Sequence, residues 1–536
     1  MRFFNTAGPV NPAIHYCLPP LERFDLQDVL LLIAQQKYFV LHAPRQTGKT
    51  TCLLALMSHL NATDQYRCAY ANVEVGQSAR EDVRRGIRAI MSAIAAGARD
   101  FARDELPSQI WLDILERQGE DRALEELLTV WAERSPLPLV LLIDEIDALV
   151  GDTLIAVLRQ LRAGYAKRPR SFPQSVILCG VRDVRDYRIH SSQEKAIITG
   201  GSAFNIKAKS LRLGNFSRPE TEAIYRVHTV ETGQIFTEEA LGRLWELTQG
   251  QPWLVNALGY ETCFEMKANR DRQRPITVEM VEEAKENLIL RRETHLDQLA
   301  DKLKEERVRR VIEPLLAGVE EPRNVPLDDI DYVRDLGLIA ADKPVRIANP
   351  IYREVVPRQL TASTEEMTVQ ETVWYVAPDG RLDMVKLLSA FQQFFREHSE
   401  HWVERFDYKE AGPQLLLQAF LQRIVNGGGR IERQYGLGKM RTDLLVIWPL
   451  PPSPSRRGVV GEGAIQKIVL ELKLLHKNLE RTFAVGLEQT WAYLDRCSAG
   501  EGHLVIFDRT PGKPWEEKLY ARQEIVKGQT ITVWGM

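Results

Sequence analysis

The sequence has no cysteine pair. Its six cysteines, Cys17, Cys52, Cys68, Cys179, Cys263 and Cys497, stand singly, and no two form a CxxC. That excludes a zinc ribbon and a secreted disulfide scaffold, and it fits a reducing compartment. No apolar run is long enough to span a bilayer; the best stretch, Leu137 to Ile143, stops at Asp144. No apolar leader is present either, because Met1-Arg2-Phe3-Phe4-Asn5 runs into prolines. The expectation is a cytoplasmic protein with no membrane partner. Net charge is scarce: 70 Lys and Arg against 73 Asp and Glu give −3. A uniformly basic coat is excluded, so any DNA contact must come from local patches. Internal repeats and long heptad runs are absent as well. What remains is 536 residues, 44% hydrophobic and 27% charged, the balance of a globular protein. That length is too great for one core, and roughly three or four domains are expected.

Short apolar runs at Tyr38–Leu41, Cys68–Val75, Pro138–Ile143 and Ser175–Cys179 alternate with helical patterns. Such runs read as buried strands, and the alternation predicts an α/β fold with a parallel sheet. The first domain is placed at 1–215. From 216 to 298 the pattern is purely helical, which predicts a helical lid. Residues 299–360 read helix, helix, hairpin, the order of a winged helix, with Gly337 breaking the second helix and Asp342-Lys343-Pro344 at the turn. A Thr- and Glu-rich linker occupies 361–374. Residues 375–536 are helices followed by strands near 430–447 and 465–473, with a Pro/Ser/Arg loop between those strands.

Ala43-Pro44-Arg45-Gln46-Thr47-Gly48-Lys49-Thr50 follows the first strand and opens a helix. In that setting loop amides and the helix N-terminus cradle phosphates. Arg45, Gln46, Thr47, Gly48 and Thr51 are the expected loop contacts. Lys49 is expected to reach the β- and γ-phosphates of ATP, and Thr50 to offer its hydroxyl to Mg²⁺. Ala43 stands where the pattern has its first Gly. Asp144-Glu145 closes a later strand, so Asp144 is expected to hold Mg²⁺ and Glu145 to polarise the attacking water. Arg182, ending the next strand, is either a γ-phosphate sensor or a surface arginine of the charged loop with Arg185 and Arg188. Gly250-Gln251-Pro252 breaks the helical region and either brings a helix N-terminus to the nucleotide or simply turns a corner.

A second set lies near the C-terminus. Asp443 enters the strand Leu444–Ile447, and Glu471-Leu472-Lys473 lies on the next. Residues two apart share a strand face. Asp443 and Glu471 are therefore candidate Mg²⁺ or Mn²⁺ ligands, with the Leu472 carbonyl as a further one. Lys473 is the candidate that orients water and steadies phosphate charge. Glu410 on an upstream helix offers another carboxylate. Gln489 and Tyr493, four apart, share a helix face and are candidate supports.

The first set resembles the prokaryotic AAA-like ATPases near the archaeal-ATPase and STAND branch, over about residues 10–360. That resemblance implies a nucleotide-driven switch, homo-oligomers and an arginine finger that the sequence does not single out. The second set resembles the PD-(D/E)XK nucleases with a RecB-like QxxxY element, over about 375–510, with Thr442 where a proline is usual. The combination resembles ATPase–nuclease fusions linked to mobile elements or phage defence, which implies DNA as partner and an activating partner or phage trigger. The leading expectation is an ATPase and Mg²⁺-dependent deoxyribonuclease controlled by nucleotide state. The alternative is a signalling or DNA-binding ATPase whose nuclease-like domain only recognises nucleic acid.

Overall fold

The computed structural model describes residues 2–183, 188–191, 196–199, 204–291, 296, 301–303, 305–316, 325–355, 375–406, 417, 420–421, 429–437, 440–450, 465–475, 479–508, 510 and 513–536. Two compact units share them: Met1–Leu299 with Val325–Tyr352, and Ala300–Asn324 with Arg353–Met536.

In the first unit the apolar runs form β1 (Tyr38–His42), β2 (Arg67–Asn72), β3 (Leu139–Asp144) and β4 (Ser175–Gly180). A strand that is apolar on both sides of its pleat needs helices over both faces. Phe39 and Leu41 pack with Cys52, Leu53 and Leu56 of the helix Lys49–Ala62. Tyr38 and Val40 turn to the opposite core, with Ile87, Ile90 and Ile94 of Val83–Ala102 and Trp131 of Ala123–Arg134. A small hairpin of β5 (Arg188–Ser191) and β6 (Ala196–Thr199) comes next, then β7 (Lys207–Arg212). The five-stranded sheet runs β2-β3-β4-β1-β7, every pair parallel. All its carboxyl ends therefore lie on one edge, where ligands of open α/β sheets bind. The sequence pattern did not announce β7, Lys-Ala-Lys-Ser-Leu-Arg; it is an edge strand, where Lys209 reaches water and Lys207 is buried against Asp183.

The helices Arg218–Thr232, Glu238–Thr248, Pro252–Tyr260 and Val278–Leu290 follow. The first begins with a capping box between Ser217 and Glu220. An N-terminal strap is tied into this bundle. Phe3 pairs with His15 as a bridge, and buried Phe4 packs against Tyr16, Tyr225 and His228. His228 lies 3.1 Å from the Tyr16 hydroxyl and 3.0 Å from Gln234 Oε1, and burial pushes its pKa down. The segment Val325–Tyr352 contributes the helix Leu327–Asp335, a turn at Gly337 with φ +81°, and a bridge between Ile339 and Ile347.

The second unit is built on β8 (Arg430–Leu437), β9 (Met440–Pro449), β10 (Ile465–Leu474), β11 (Glu501–Phe507), β12 (Tyr520–Val526) and β13 (Gln529–Gly535). Its order is β12-β13-β11-β10-β9-β8. The strands β8, β9 and β10 form an antiparallel meander; β10 then pairs parallel with β11 across the helix Leu479–Cys497. Leu387, Phe391 and Phe395 of Met384–Phe406 share one core with Leu470 and Leu472. Tyr493 and Leu494 share the opposite core with Val469 and Leu504. Among the described residues no helix is long and apolar enough to cross a membrane.

Candidate functional site

The phosphate loop spans the carboxyl end of β1 and the start of Lys49–Ala62. Gln46 has φ +57° and Gly48 φ +91°, so the chain turns through left-handed conformations at two positions of the loop. Ala43 is buried and its amide bonds the Gly180 carbonyl at 3.2 Å. The loop therefore closes with a methyl where the pattern has glycine. Lys49 is buried, and its Nζ donates to the carbonyls of Ala43 at 3.0 Å and Pro44 at 3.1 Å. Thr47 donates from Oγ1 to the Pro44 carbonyl at 2.8 Å. Arg45 is exposed, as is Gln46.

The carboxyl end of β3 meets the start of the helix Lys49–Ala62. Thr50 Oγ1 donates to Asp144 Oδ2 at 2.7 Å, and the Tyr70 hydroxyl donates to the same oxygen at 3.0 Å. The Glu145 amide donates to Asp144 Oδ1 at 2.9 Å. Asp144 is fully buried. A hydroxyl and a carboxylate side by side are the hard oxygen donors that Mg²⁺ takes, so Thr50 and Asp144 are the residues that would hold it. Glu145 sits at φ +57°, ψ +41°. Left-handed backbone at a non-glycine residue costs energy and concentrates at functional positions. Burial pushes the Glu145 carboxyl above its ordinary value, with Lys49 pulling the other way. A carboxylate tuned upward is a suitable general base.

Two groups that the motifs did not reveal complete the site. Arg23 donates from Nη1 to the Thr47 carbonyl at 2.9 Å and from Nη2 to the Gly214 carbonyl at 2.6 Å, and it lies over the Phe216 ring at 4.5 Å. It ties the loop to the start of the helical bundle. The strap makes the other contribution: the Val10 amide bonds Thr51 Oγ1 at 3.1 Å, and Trp253 Nε1 donates to the Thr6 carbonyl at 3.0 Å. A cavity of about 120 Å³ lies between them, lined among others by Thr6, Gln46, Gly48, Thr51, Pro252 and Trp253. The Gly-x-Pro break thus adjoins the phosphate loop. Gly250 has φ +68° and accepts the Phe216 amide at 2.8 Å.

Arg182 lies two residues past the end of β4 and is largely buried. It forms an ion pair with Asp335 at 3.4 Å and lies over the Tyr332 ring at 4.9 Å.

Residues 33–187 match the family model of the AAA domain. This segment is an AAA-type P-loop ATPase domain. No curated protein matches the chain. Among solved structures, the chain is similar to the Walker-type ATPase of Pyrococcus abyssi, at 14% identity over 66% of this chain and 99% of that one, TM-score 0.42. It is similar to Cdc6p of Pyrobaculum aerophilum, at 17% identity over 66% and 96%, TM-score 0.35. It is also similar to the RuvB Holliday junction branch migration motor of Thermotoga maritima, at 14% over 62% and 95%, TM-score 0.32. The matched span contains Lys49, Thr50, Asp144, Glu145 and Arg182.

In the second unit, Glu471 is buried on β10, and Lys473 Nζ donates to its Oε1 at 2.5 Å. Leu472 points to the opposite core. Leu444 faces Leu470 and Leu445 faces Val469, one residue short of Asp443 and Glu471 on the two strands. The backbone of Asp443 belongs to β9, but its side chain lies outside the described residues, and Glu410 lies wholly outside them. Gln489 is half-buried on Leu479–Cys497, while Tyr493 is buried in the core beneath that helix. Among the described residues no three His, Cys, Asp or Glu side chains group as metal ligands.

Proposed function

We propose that the chain is an ATP-binding and ATP-hydrolysing protein whose nucleotide state controls a metal-dependent DNA nuclease in its second unit. The observation that supports this reading is the order of that unit: helix, three-stranded meander, helix, parallel strand, with Glu471 and Lys473 on a central strand and position 443 on the strand beside it. In this reading Asp443, Glu471 and the Leu472 carbonyl would hold Mg²⁺ or Mn²⁺, with Glu410 as an added carboxylate. A divalent ion there supplies Lewis-acid chemistry to a phosphodiester. Lys473 lies beside Glu471, where its ammonium orients water and offsets phosphate charge. Gln489 and Tyr493 brace the sheet from the helix side.

In the ATPase domain, Lys49 and the loop amides bind the phosphates, Thr50 and Asp144 set the cation position, and Glu145 accepts the proton of the attacking water. DNA is the proposed partner and a homo-oligomer the proposed assembly. A role in phage defence or with mobile elements, with a separate activating partner, belongs to the same proposal. The test is plasmid DNA with Mg²⁺ or Mn²⁺, with and without ATP. Wild type should cleave it and Asp443→Ala/Lys473→Ala should not; equal degradation by the two removes the nuclease assignment.

The second reading is a signalling or DNA-binding ATPase whose C-terminal unit only recognises nucleic acid. It is favoured by the Glu471–Lys473 ion pair, which ties the two groups to each other. It predicts ATP turnover lost in Lys49→Ala and no nicking even with Mn²⁺.

A further inference from the structure

The six-stranded sheet of the second unit ends at β12, and among the described residues nothing pairs with its outer edge. The strand is held at both ends. At its start, Gln392 Nε2 donates to the carbonyls of Tyr520 at 3.0 Å and Gly535 at 2.7 Å. At its finish the hairpin turns through Lys527 and Gly528, both left-handed, with φ +49° and +85°. Lys527 Nζ donates to Glu488 at 3.0 Å and lies over the Trp491 ring, 3.8 Å from its centroid, which docks the turn on the helix Leu479–Cys497. The edge is thus ordered before any partner arrives. A two-residue turn of this kind makes Val526 and Gln529 a hydrogen-bonded pair. Alternation then aims the amides and carbonyls of Ala521, Gln523 and Ile525 away from β13, and all three residues are exposed. Open edges are ordinarily blunted by lysine, proline or a bulge. The strand β12, Tyr-Ala-Arg-Gln-Glu-Ile-Val, has none of the three, and its Ile525 is 78% exposed.

The sequence of this edge complements itself. Set antiparallel to a second copy about a two-fold axis through Gln523, Tyr520 meets Val526, Ala521 meets Ile525 and Arg522 meets Glu524, each pair occurring twice. Residues two apart share a strand face. Arg522 lies over the Phe483 ring at 4.0 Å and pairs with Glu524 of its own strand at 3.2 Å, so both charges stand on the face that carries the helix Leu479–Cys497. The two-fold axis keeps faces in common, and the second copy presents the same two charges there. Because Ala521, Gln523 and Ile525 bond outward, Arg522 and Glu524 fall at the non-hydrogen-bonded positions, where opposed side chains come closest. On the other face the small Ala521 leaves room for Ile525. Moving the axis by one residue would set Arg522 against Arg522, or Glu524 against Glu524, and like charges directly opposite are destabilising.

We propose that β12 is a homodimer interface, through which two copies of this chain join their six-stranded sheets edge to edge into one continuous sheet. The outward amides and carbonyls of both copies gain about six backbone bonds. Ile525 is covered by the second copy's Ala521, and each Arg522 meets a Glu524 across the axis. The proposal rests on the homo-oligomer reading above and names its contact; it does not depend on ATP turnover or on DNA cleavage.

The experiment uses the full chain without nucleotide at low ionic strength, where surface charge is least screened, and follows sedimentation velocity over a concentration series. The symmetry counts every contact twice, so reversing one charge removes two attractions and adds two repulsions. Arg522→Glu alone and Glu524→Arg alone should each weaken self-association by roughly tenfold. An equal mixture of the two variants should return to within about threefold of wild type, because every cross-strand pair then joins opposite charges. The chain carrying both substitutions should recover likewise. In wild type, hydrogen exchange over Tyr520–Val526 should slow as concentration rises. A wild type that stays monomeric throughout overturns this inference and the homo-oligomer reading together. An oligomer indifferent to the single reversals, a mixture no tighter than its components, or exchange indifferent to concentration overturns this inference alone. Recovery in the mixture separates lost pairing from misfolding, since neither variant chain is altered by mixing.

Discussion

Tyr70 offers the sharpest test of how the ATPase centre is held. Its hydroxyl donates at 3.0 Å to the Asp144 oxygen that also accepts from Thr50, and Asp144 is fully buried. Tyr70→Phe keeps the ring, its volume and its edge contact with Phe101 at 5.5 Å between centroids. The hydroxyl is lost, and with it the bond to Asp144 and the bond with Asn72. A hydrogen bond to a charged group contributes about 1.5–3 kcal/mol. Two terms reduce that here. Asp144 keeps its bonds from Thr50 and from the Glu145 amide, and a buried hydroxyl no longer has to be desolvated. A net loss of about 1–2 kcal/mol remains.

In domains of about 150–250 residues each kcal/mol moves Tm by roughly 2–4 °C, and somewhat less in a larger body. The transition of the first unit should therefore fall by about 2–5 °C in scanning calorimetry. The same substitution in an Asp144→Ala background should cost much less, since the pair is already broken. A melting point within about 1 °C of wild type, or an equal cost in both backgrounds, would show that the hydroxyl does not support the carboxylate.

Glu145→Gln should lower ATP hydrolysis by about 100- to 10,000-fold while nucleotide binding persists, read by phosphate release beside fluorescence titration; near-normal turnover refutes its role as base. Because burial raises the Glu145 carboxyl, the acid limb of the wild-type rate should lie above that of an ordinary glutamate. The base works deprotonated, so the rate falls as pH drops through that raised value; a rate flat across the range where the protein stays folded contradicts this. Gly250→Ala puts a Cβ at 1.9 Å from the Phe216 carbonyl in a left-handed backbone. It should destabilise the first unit by about 3 kcal/mol or more and weaken nucleotide binding, seen as an early transition in thermal melts.

What could be read from the sequence follows from what is local. The strands β1 to β4 announce themselves because each is a short run apolar on both faces, and the phosphate loop because its chemistry sits in eight successive residues. Asp144 and Glu145 are equally plain at the end of β3. Nothing local marks Tyr70, whose ring looks like one more apolar member of β2 until the register sets Ala71 beside Ile143 and Asn72 beside Asp144. The strap could not be read for the same reason: Thr6 matters through Trp253, nearly 250 positions away. Arg23 is hidden in a proline-rich lead, and only folding brings it to Thr47 and Phe216. Asp335 is hidden in the same way. In sequence it is one acidic residue among several on a short helix, Asp328, Asp329 and Asp331 being the others, and no spacing distinguishes it. Its distinction is the neighbour that the fold assigns to it. A motif such as residues 43–50 can be read because its groups are neighbours in the chain, whereas Asp335 meets Arg182 only where the fold brings the two together.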